Sequence, residues 1–308
     1  MISVTIFSLG GIIYFYFIKG ATLQTRFGLS EAAVDINHIG FFSIPAIFII
    51  IVFLTREKNL HQKLFLLVSL MLAGTVTALS QTTGALVGIL IPIPFLFIRN
   101  KRFVILAVAS MIFLIVVTPF SDQLRINALR DKVHFNLELG RLPIWYTHFQ
   151  SIKEHPITGT GFGMLIYNED FFIKNNLKLP PKYQVIVEAT QGNLPYMPHN
   201  AVIDLTVRTG FFGSGLFLYC LYVFFRLGWL LYKNAKDVFV QNWNLCLMAC
   251  CLSLLVQGMF VDLMIGSHVV YLFIFFAMIS ILWQIEESNK NFSEQLEANT
   301  CVQRVGCC

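Results

Sequence analysis

Residues 196–213 read YMPHNAVIDLTVRTGFFG. This stretch ends a long polar connection and opens an apolar segment that can enter a membrane as a helix. Pro198 disfavours helical geometry in the residue before it and Asn200 is a favourable N-cap, so the sequence predicts a helix that starts at Asn200. The glycines that follow Thr209 predict a break between a short entry helix and the main crossing, Phe211–Leu231.

The chain as a whole is too apolar for a soluble domain. Of its 308 residues, 56% are hydrophobic and 13% are charged, and the mean hydropathy is +0.69. Soluble domains carry about 25% charged residues. Apolar runs of about 17–25 residues cross a bilayer as helices, whose backbones satisfy their own hydrogen bonds. We therefore predict an all-α fold, a polytopic membrane helical bundle of about eight spans with one large extramembrane loop.

The apolar stretch Leu64–Ile98 is interpreted as a hairpin. As one helix it would be about 52 Å long, whereas the hydrocarbon core is about 30 Å thick. Basic residues flank both of its ends, and the polar break Gln81–Gly84 is the expected tip. Pro92 and Pro94 are expected to bend the returning helix.

The other spans follow from apolar runs alone. They are predicted at 2–18, 39–54, 103–117, 243–260 and 266–283. The chain then divides into spans one to five at 1–118, a large loop at 119–199, spans six to eight at 200–285, and a polar tail at 286–308 that is expected to be mobile.

The placement of positive charge predicts the orientation. Lys and Arg concentrate in short loops on the cytoplasmic side of a membrane. The short connections on one side hold Arg56, Lys58, Lys63, Arg99, Lys101, Arg102, Arg226, Lys233 and Lys236. Those on the other side hold Lys19 and Arg26. Both termini are therefore expected in the cytoplasm and the large loop outside.

The chemistry-bearing residues of the opening stretch are His199, Asp204 and Arg208. An imidazole with an ordinary pKa of about 6.5 suits proton abstraction from a hydroxyl near neutrality, and His199 lies at the mouth of a helix near the outer face. Asp204 and Arg208 are four residues apart on one helix face, so an ion pair is the simpler interpretation. Arg208 is also kept as a candidate substrate contact.

Two segments of the large loop carry further candidates. A basic amphipathic segment holds Arg125, Arg130 and Lys132, which is typical of an interfacial helix or of a contact for an anionic lipid-linked substrate. A second amphipathic helix, starting near Arg141, is predicted to end before Pro156.

A glycine-containing turn follows Pro156 and is expected to lay the loop back on the bundle. It does not have the strand–GxGxxG–helix context of a nucleotide site. Arg141 has the donor geometry to bind phosphate.

The cysteines and the spacing of possible metal ligands do not indicate a functional site. Four cysteines lie in apolar spans and are interpreted as small core residues: Cys220, Cys246, Cys250 and Cys251. The spacing of His, Cys and acidic residues predicts no metal site.

These residues resemble the O-antigen ligase and O-antigen polymerase family of bacterial membrane glycosyltransferases. The likeness is carried by Arg141 with Trp145 and the turn PITGTGFG at 156–163, and by His199-Asn200 leading to GFFG at 210–213. It is also carried by the hairpin tip at Gly84-Ala85 and by the Asn-containing entrance DINH at 35–38. The segments occur in the family's order between about residue 30 and residue 230.

The resemblance implies a GT-C type enzyme in the bacterial inner membrane with a periplasmic loop. Its donor would be a glycan on undecaprenyl pyrophosphate, and its acceptor a lipid A core, another glycan or a protein. Membrane lipids would surround it, and no nucleic acid, metal or cofactor is implied. By position, His199 resembles the family's essential His, Arg141 resembles the loop Arg that engages pyrophosphate, and Asn200 belongs to the same substrate-binding region.

The chain departs from the family pattern at the hairpin tip. Thr83 stands where the family usually has an Arg that handles phosphate, so Arg125, Arg130 or Lys132 would have to supply that charge. The chain also has fewer spans before the Asn-containing entrance than members usually have. Two alternatives to an enzyme stay open at this point: a non-catalytic binding or transport protein for lipid-linked glycans, and a degenerate homologue.

Overall fold

The computed structural model describes residues 2–20, 36–55, 57–80, 83–96, 141–161, 197–260 and 267–305. Within these residues the regular structure is helical throughout. The helices are α1 (Ile2–Ile12, continued as a π-helix over Ile13–Ile18), α2 (Ile36–Leu54), α3 (Leu60–Leu79), α4 (Thr83–Leu90), α5 (Ile93–Leu96), α6 (Leu142–Glu154), α7 (Ala201–Asn234), α8 (Val238–Gly258) and α9 (Ser267–Val305).

The predicted hairpin breaks where expected. Helix α3 ends at Leu79 and α4 begins at Thr83, and both helices pack against α2. The returning part is itself interrupted, because α4 ends at Leu90 and α5 starts only after Pro92. A proline cannot donate to a preceding carbonyl and clashes with it, which ends a helix at this point.

Helix α7 begins at the predicted cap and breaks at the predicted glycine. The Asn200 side-chain oxygen accepts hydrogen bonds from the N–H groups of Val202 and Ile203 at 3.0 and 3.2 Å. Gly210 interrupts the helix with φ 65° and ψ −172°, a conformation that is essentially restricted to glycine. The division into a short entry helix and a main crossing is therefore confirmed.

Helix α8 lies at the centre of the bundle. It packs against α2, α4, α5, α7 and α9. Cys246, Cys250 and Cys251 are buried on it, as expected for small core residues. The same interpretation is wrong for Cys220, which is exposed at a groove between α7 and α9. A membrane helix is apolar on its outward face as well as its inward face, so hydropathy alone does not separate the two.

The described part of the chain contains four helices long and apolar enough to cross a membrane. They are Leu60–Leu79, Ala201–Asn234, Val238–Gly258 and Val269–Phe292. Shorter apolar helices lie at Thr5–Ile18, Phe42–Leu54 and Val87–Leu96. Each of these helices coincides with a predicted span, and the protein is a polytopic helical membrane protein. The predicted fifth span, 103–117, lies outside the described residues.

Two boundaries differ from expectation. Helix α8 starts before the predicted Trp243, because the Asp237 carboxylate caps it by accepting from the Phe239 N–H at 2.7 Å. The tail expected to be mobile after Glu286 is instead the continuation of α9 to Val305. This segment is rich in good helix formers and has no Gly or Pro before Gly306, so nothing ends the helix at the polar boundary.

Candidate functional site

Three distant parts of the chain meet where α8 ends. The Arg141 Nη2 donates to the Phe260 carbonyl at 3.3 Å, and the Asn200 Nδ2 lies 3.5 Å from the Met259 carbonyl. The Arg141 guanidinium also lies over the Phe260 ring, 5.9 Å from its centroid. A Cβ built on Gly84, at the start of α4, would lie 3.1 Å from the Phe260 Cβ. We refer to Gly84, Arg141, Asn200 and Phe260 as the Phe260 junction.

Helix α6 carries Arg141 to this junction. Pro143 favours the start of α6, since its missing N–H lies in the first turn where donors have no intrahelical partner. The buried face of α6 packs against α7, where Ile152 joins a small apolar cluster with Ile203 and Val207. The position of Arg141 is therefore set by the entry half of α7, which also begins at the junction.

His199 adopts an unusual backbone conformation beside the junction. Its φ is 47°, in the left-handed region that residues other than glycine seldom occupy. The preceding carbonyl, that of Pro198, accepts a hydrogen bond from the Trp145 Nε1–H at 2.8 Å. The following residue, Asn200, is fixed as the N-cap of α7. Such strained conformations persist where the surrounding structure holds them, and they are frequent at functional sites.

The turn after α6 docks on the break in α7. Four backbone hydrogen bonds join the two segments. The N–H groups of Thr160 and Gly161 in the turn donate to the carbonyls of Val207 and Arg208 at 2.8 and 2.9 Å, respectively. In the other direction, the N–H groups of Phe211 and Phe212 donate to the carbonyls of Pro156 and Ile157 at 2.7 and 3.3 Å. In a continuous helix, Phe211 and Phe212 would bond to Val207 and Arg208, so the turn replaces the partners that the break removes.

Glycine is required on both sides of this contact. Gly159 has φ 68°, and a Cβ on it would lie 2.5 Å from the Arg208 carbonyl and from the Gly210 nitrogen. A Cβ on Gly210 would overlap the Ile157 carbonyl group. The expected turn that lays the loop back on the bundle is thus confirmed. We call residues 156–161 and 207–212 the turn–helix interlock.

Asp204 and Arg208 form the predicted ion pair inside the entry half of α7. The Arg208 Nε donates to the Asp204 Oδ1 at 2.7 Å, and the two side chains are 3% and 0% exposed, respectively. A buried charge is stable only when it is paired and hydrogen-bonded. The geometry therefore favours a structural role for Arg208, and contact of Arg208 with a substrate stays a prediction.

A family model described as O-antigen ligase matches residues 66–218. The chain carries a domain of the O-antigen ligase family. Members of this family are membrane glycosyltransferase-like ligases and polymerases, which supports an O-antigen ligase-like function and this general kind of enzyme. A comparison with curated proteins finds no match for the chain. The matched residues of the O-antigen ligase domain include three members of the Phe260 junction, Gly84, Arg141 and Asn200, and also the interlock.

Apart from Arg208, the predicted site residues fall into three groups within this O-antigen ligase domain. Arg141, His199 and Asn200 come together at or beside the Phe260 junction. Thr83 is the first residue of α4, adjacent to Gly84 of the junction. The basic candidates Arg125, Arg130 and Lys132 lie outside the described residues.

Nothing in the sequence marks Phe260 as a site residue, and Trp145 is marked only by the family resemblance. Phe260 is the last residue of the predicted span 243–260, and its contact with Arg141 joins residues 119 positions apart. Ile144, His148 and Ile152 follow one another at helical spacing on α6, and all three are buried on one face of that helix. In the described part of the chain, His, Cys, Asp and Glu do not form a group of three or more that could hold a metal ion.

Proposed function

We propose that this protein transfers a glycan from an undecaprenyl-pyrophosphate carrier to a hydroxyl of an acceptor at the outer face of the bacterial inner membrane. The observation that carries the proposal is the convergence of Arg141 and the His199-Asn200 segment at the Phe260 junction. Transfer from a pyrophosphate donor requires a cation that binds the leaving group and a base that takes a proton, and Arg141 and His199 are the candidates for these two roles.

Arg141 is proposed to bind the pyrophosphate. Its bond to the neutral Phe260 carbonyl is 3.3 Å long. Charge-assisted bonds between guanidinium and phosphate are about 2.7–2.9 Å and roughly twice as strong as neutral ones. An arriving phosphate oxygen therefore competes well for this donor. Lipid-linked pyrophosphate carries charge that one Arg does not neutralise alone, and we assign the remainder to Arg125, Arg130 and Lys132, with Thr83 as a polar contact at the hairpin tip.

His199 is proposed as the general base. It takes the proton of the acceptor hydroxyl while that oxygen forms a bond to the anomeric carbon of the donor. The bond between the anomeric carbon and the pyrophosphate oxygen breaks, and undecaprenyl pyrophosphate leaves with both electrons. Arg141 stabilises the negative charge that develops on the leaving oxygen. Asn200 fixes the backbone that presents His199, since its side chain caps α7.

The proposed orientation follows from charge. The Phe260 junction lies at the end of α8 distant from Lys233 and Lys236, two of the basic residues assigned to the cytoplasmic side. The junction and the large loop then face the periplasm, where lipid-linked glycans are displayed, and both termini are cytoplasmic. The acceptor is a lipid A core, a growing glycan or a protein. Deletion of the gene, followed by inspection of lipopolysaccharide, capsule and glycoproteins, would identify which of these classes it is.

The test is a set of single substitutions in the full chain, expressed in a strain that lacks the gene. His199→Ala should abolish transfer to the surface glycan at normal protein level, and Arg141→Ala should reduce it strongly. His155→Ala is the matched control, because His155 is an exposed histidine at the end of α6 and lies outside the junction. Arg141→Lys keeps the charge but not the paired donors, so it should recover only part of the activity.

Normal transfer by the His199→Ala protein would end the catalytic proposal. If His199→Ala still moved donor across the membrane while Arg141→Ala did not, and neither form transferred glycan, the protein would be a binding or transport protein. Glycan transfer by the purified full chain would exclude a degenerate homologue.

A further inference from the structure

We infer that Trp145 is a positioning residue for His199, acting through the backbone of Pro198. The inference rests on the proposed role of His199 as the base. Trp145 touches neither donor nor acceptor in this mechanism. Its contribution is to hold the segment that orients the imidazole.

The contact is short and specific. The Trp145 Nε1–H donates to the Pro198 carbonyl at 2.8 Å, across 53 residues of chain. Pro198 is buried, so its carbonyl depends on a partner within the protein. The Trp145 ring also packs with Met197 on the apolar cluster of Ile203 and Val207. The indole therefore holds the segment before His199 by packing and by a hydrogen bond.

The residue after His199 is held independently. The Asn200 oxygen accepts from two backbone N–H groups of α7, and its Nδ2 lies 3.5 Å from the Met259 carbonyl. His199 is thus bracketed by two fixed neighbours, and between them it has φ 47°. A left-handed conformation is unfavourable for a residue with a Cβ, so it persists only while both neighbours are held. Loss of the Trp145 hydrogen bond would allow the backbone at His199 to relax and the ring to change direction.

One helix then sets the spacing of both proposed reacting groups. Arg141 lies at the start of α6 and Trp145 is one turn further along the same helix. Arg141 contacts the Phe260 carbonyl and Trp145 contacts the Pro198 carbonyl. Helix α6 therefore holds both the phosphate-binding cation and the backbone segment that carries the base, and Trp145 is the contact on the side of the base.

The test uses Trp145→Phe in the full chain, because phenylalanine keeps most of the aromatic packing and removes only the N–H donor. Trp243→Phe is the matched control: Trp243 is a half-buried Trp near the start of α8 that packs on Phe53 and Phe239, away from the junction. Each protein is reconstituted in liposomes with an undecaprenyl-pyrophosphate oligosaccharide as donor. A lipid A core, a second molecule of the donor and a serine-containing peptide are tested in parallel as acceptors, and the kinetics are measured with the acceptor that the wild-type protein uses. Trp145→Phe should lower kcat about tenfold while KM for the donor changes less than about twofold.

A second measurement follows the imidazole directly. Diethyl pyrocarbonate modifies accessible histidines, and mass spectrometry gives the rate at His199 relative to that at exposed His155 in the same molecule. Trp145→Phe should raise this ratio by about threefold or more, because the freed segment samples more open conformations, and Trp243→Phe should leave it unchanged.

A Trp145→Phe protein with wild-type kcat, or with an unchanged or lowered modification ratio, would overturn the inference. The failure of the proposed function is a separate result, namely transfer by His199→Ala. In that case the modification ratio alone decides whether Trp145 positions His199.

Discussion

Replacing Gly210 by alanine tests the turn–helix interlock most sharply. The Gly210 backbone, with φ 65° and ψ −172°, lies in a region that residues with a Cβ avoid. The new methyl group would overlap the Ile157 carbonyl group. The variant must therefore either keep the break under strain or straighten α7 and expel the turn.

The two routes have different costs. Keeping the break costs about 1–3 kcal/mol in backbone strain, before the overlap is counted. Straightening loses four hydrogen bonds between turn and helix, at about 1 kcal/mol each, and regains two within the helix. Alanine also favours the continuous helix by about 1 kcal/mol relative to glycine. Straightening is therefore the cheaper route, at about 1 kcal/mol, and the loss of stability stays within about 1–3 kcal/mol.

The consequence for function should exceed the consequence for stability. Straightening redirects the entry half of α7, which begins at Asn200, and removes the turn that follows α6. Purified Gly210→Ala protein should unfold a few degrees below wild type, at about 2–4 °C per kcal/mol, and should lose most glycan transfer. Scanning fluorimetry in detergent measures the first and surface-glycan analysis the second.

Gly215→Ala is the matched control in the same helix. No atom lies within 4 Å of a Cβ at Gly215, so alanine should be neutral or stabilising there. Gly159→Ala should reproduce the Gly210→Ala defect from the other side of the interlock, since its Cβ would meet the Arg208 carbonyl. Wild-type stability and transfer in Gly210→Ala would refute the argument that the break is held by the turn.

The remaining predictions concern the ion pair and the orientation. Asp204→Ala removes the ion pair while Arg208 stays buried, so it should destabilise the protein by about 3–5 kcal/mol, whereas Asp204→Leu combined with Arg208→Met should cost much less. Additive losses in the thermal unfolding of the single and double variants would contradict a coupled pair. Cysteines placed at His155 and at Asn289 in a cysteine-depleted chain should differ in labelling of intact spheroplasts by a membrane-impermeant maleimide. The first should react and the second should not, and the reverse pattern would invert the proposed topology.

The sequence by itself determined the class of fold and most of its helices. The length of the apolar runs, the positive charges beside them and the positions of the prolines predicted the membrane spans. Each of these features acts within a single segment, because every helix in lipid must cross the hydrocarbon core and satisfy its own backbone hydrogen bonds. The N-cap at Asn200 and the break at Gly210 were also predictable from the sequence, because asparagine is a favoured N-cap residue and only glycine adopts such a backbone conformation easily. The sequence did not predict that α9 continues beyond Glu286, because the polar composition of this segment was interpreted as typical of a mobile tail.

Only the tertiary structure brought Gly84, Arg141, Asn200 and Phe260 together. Arg141, Asn200 and Trp145 each contact a backbone carbonyl, at Phe260, Met259 and Pro198. Every residue has a backbone carbonyl, so the residue types of the accepting segment do not show which carbonyl will be contacted. The interlock is similar: glycines at 159 and 210 each predicted a turn or a break, but their pairing depends on the packing of α6 against α7. Local chemistry thus decided where the helices begin and break, and packing between distant segments decided which of their ends form the candidate site.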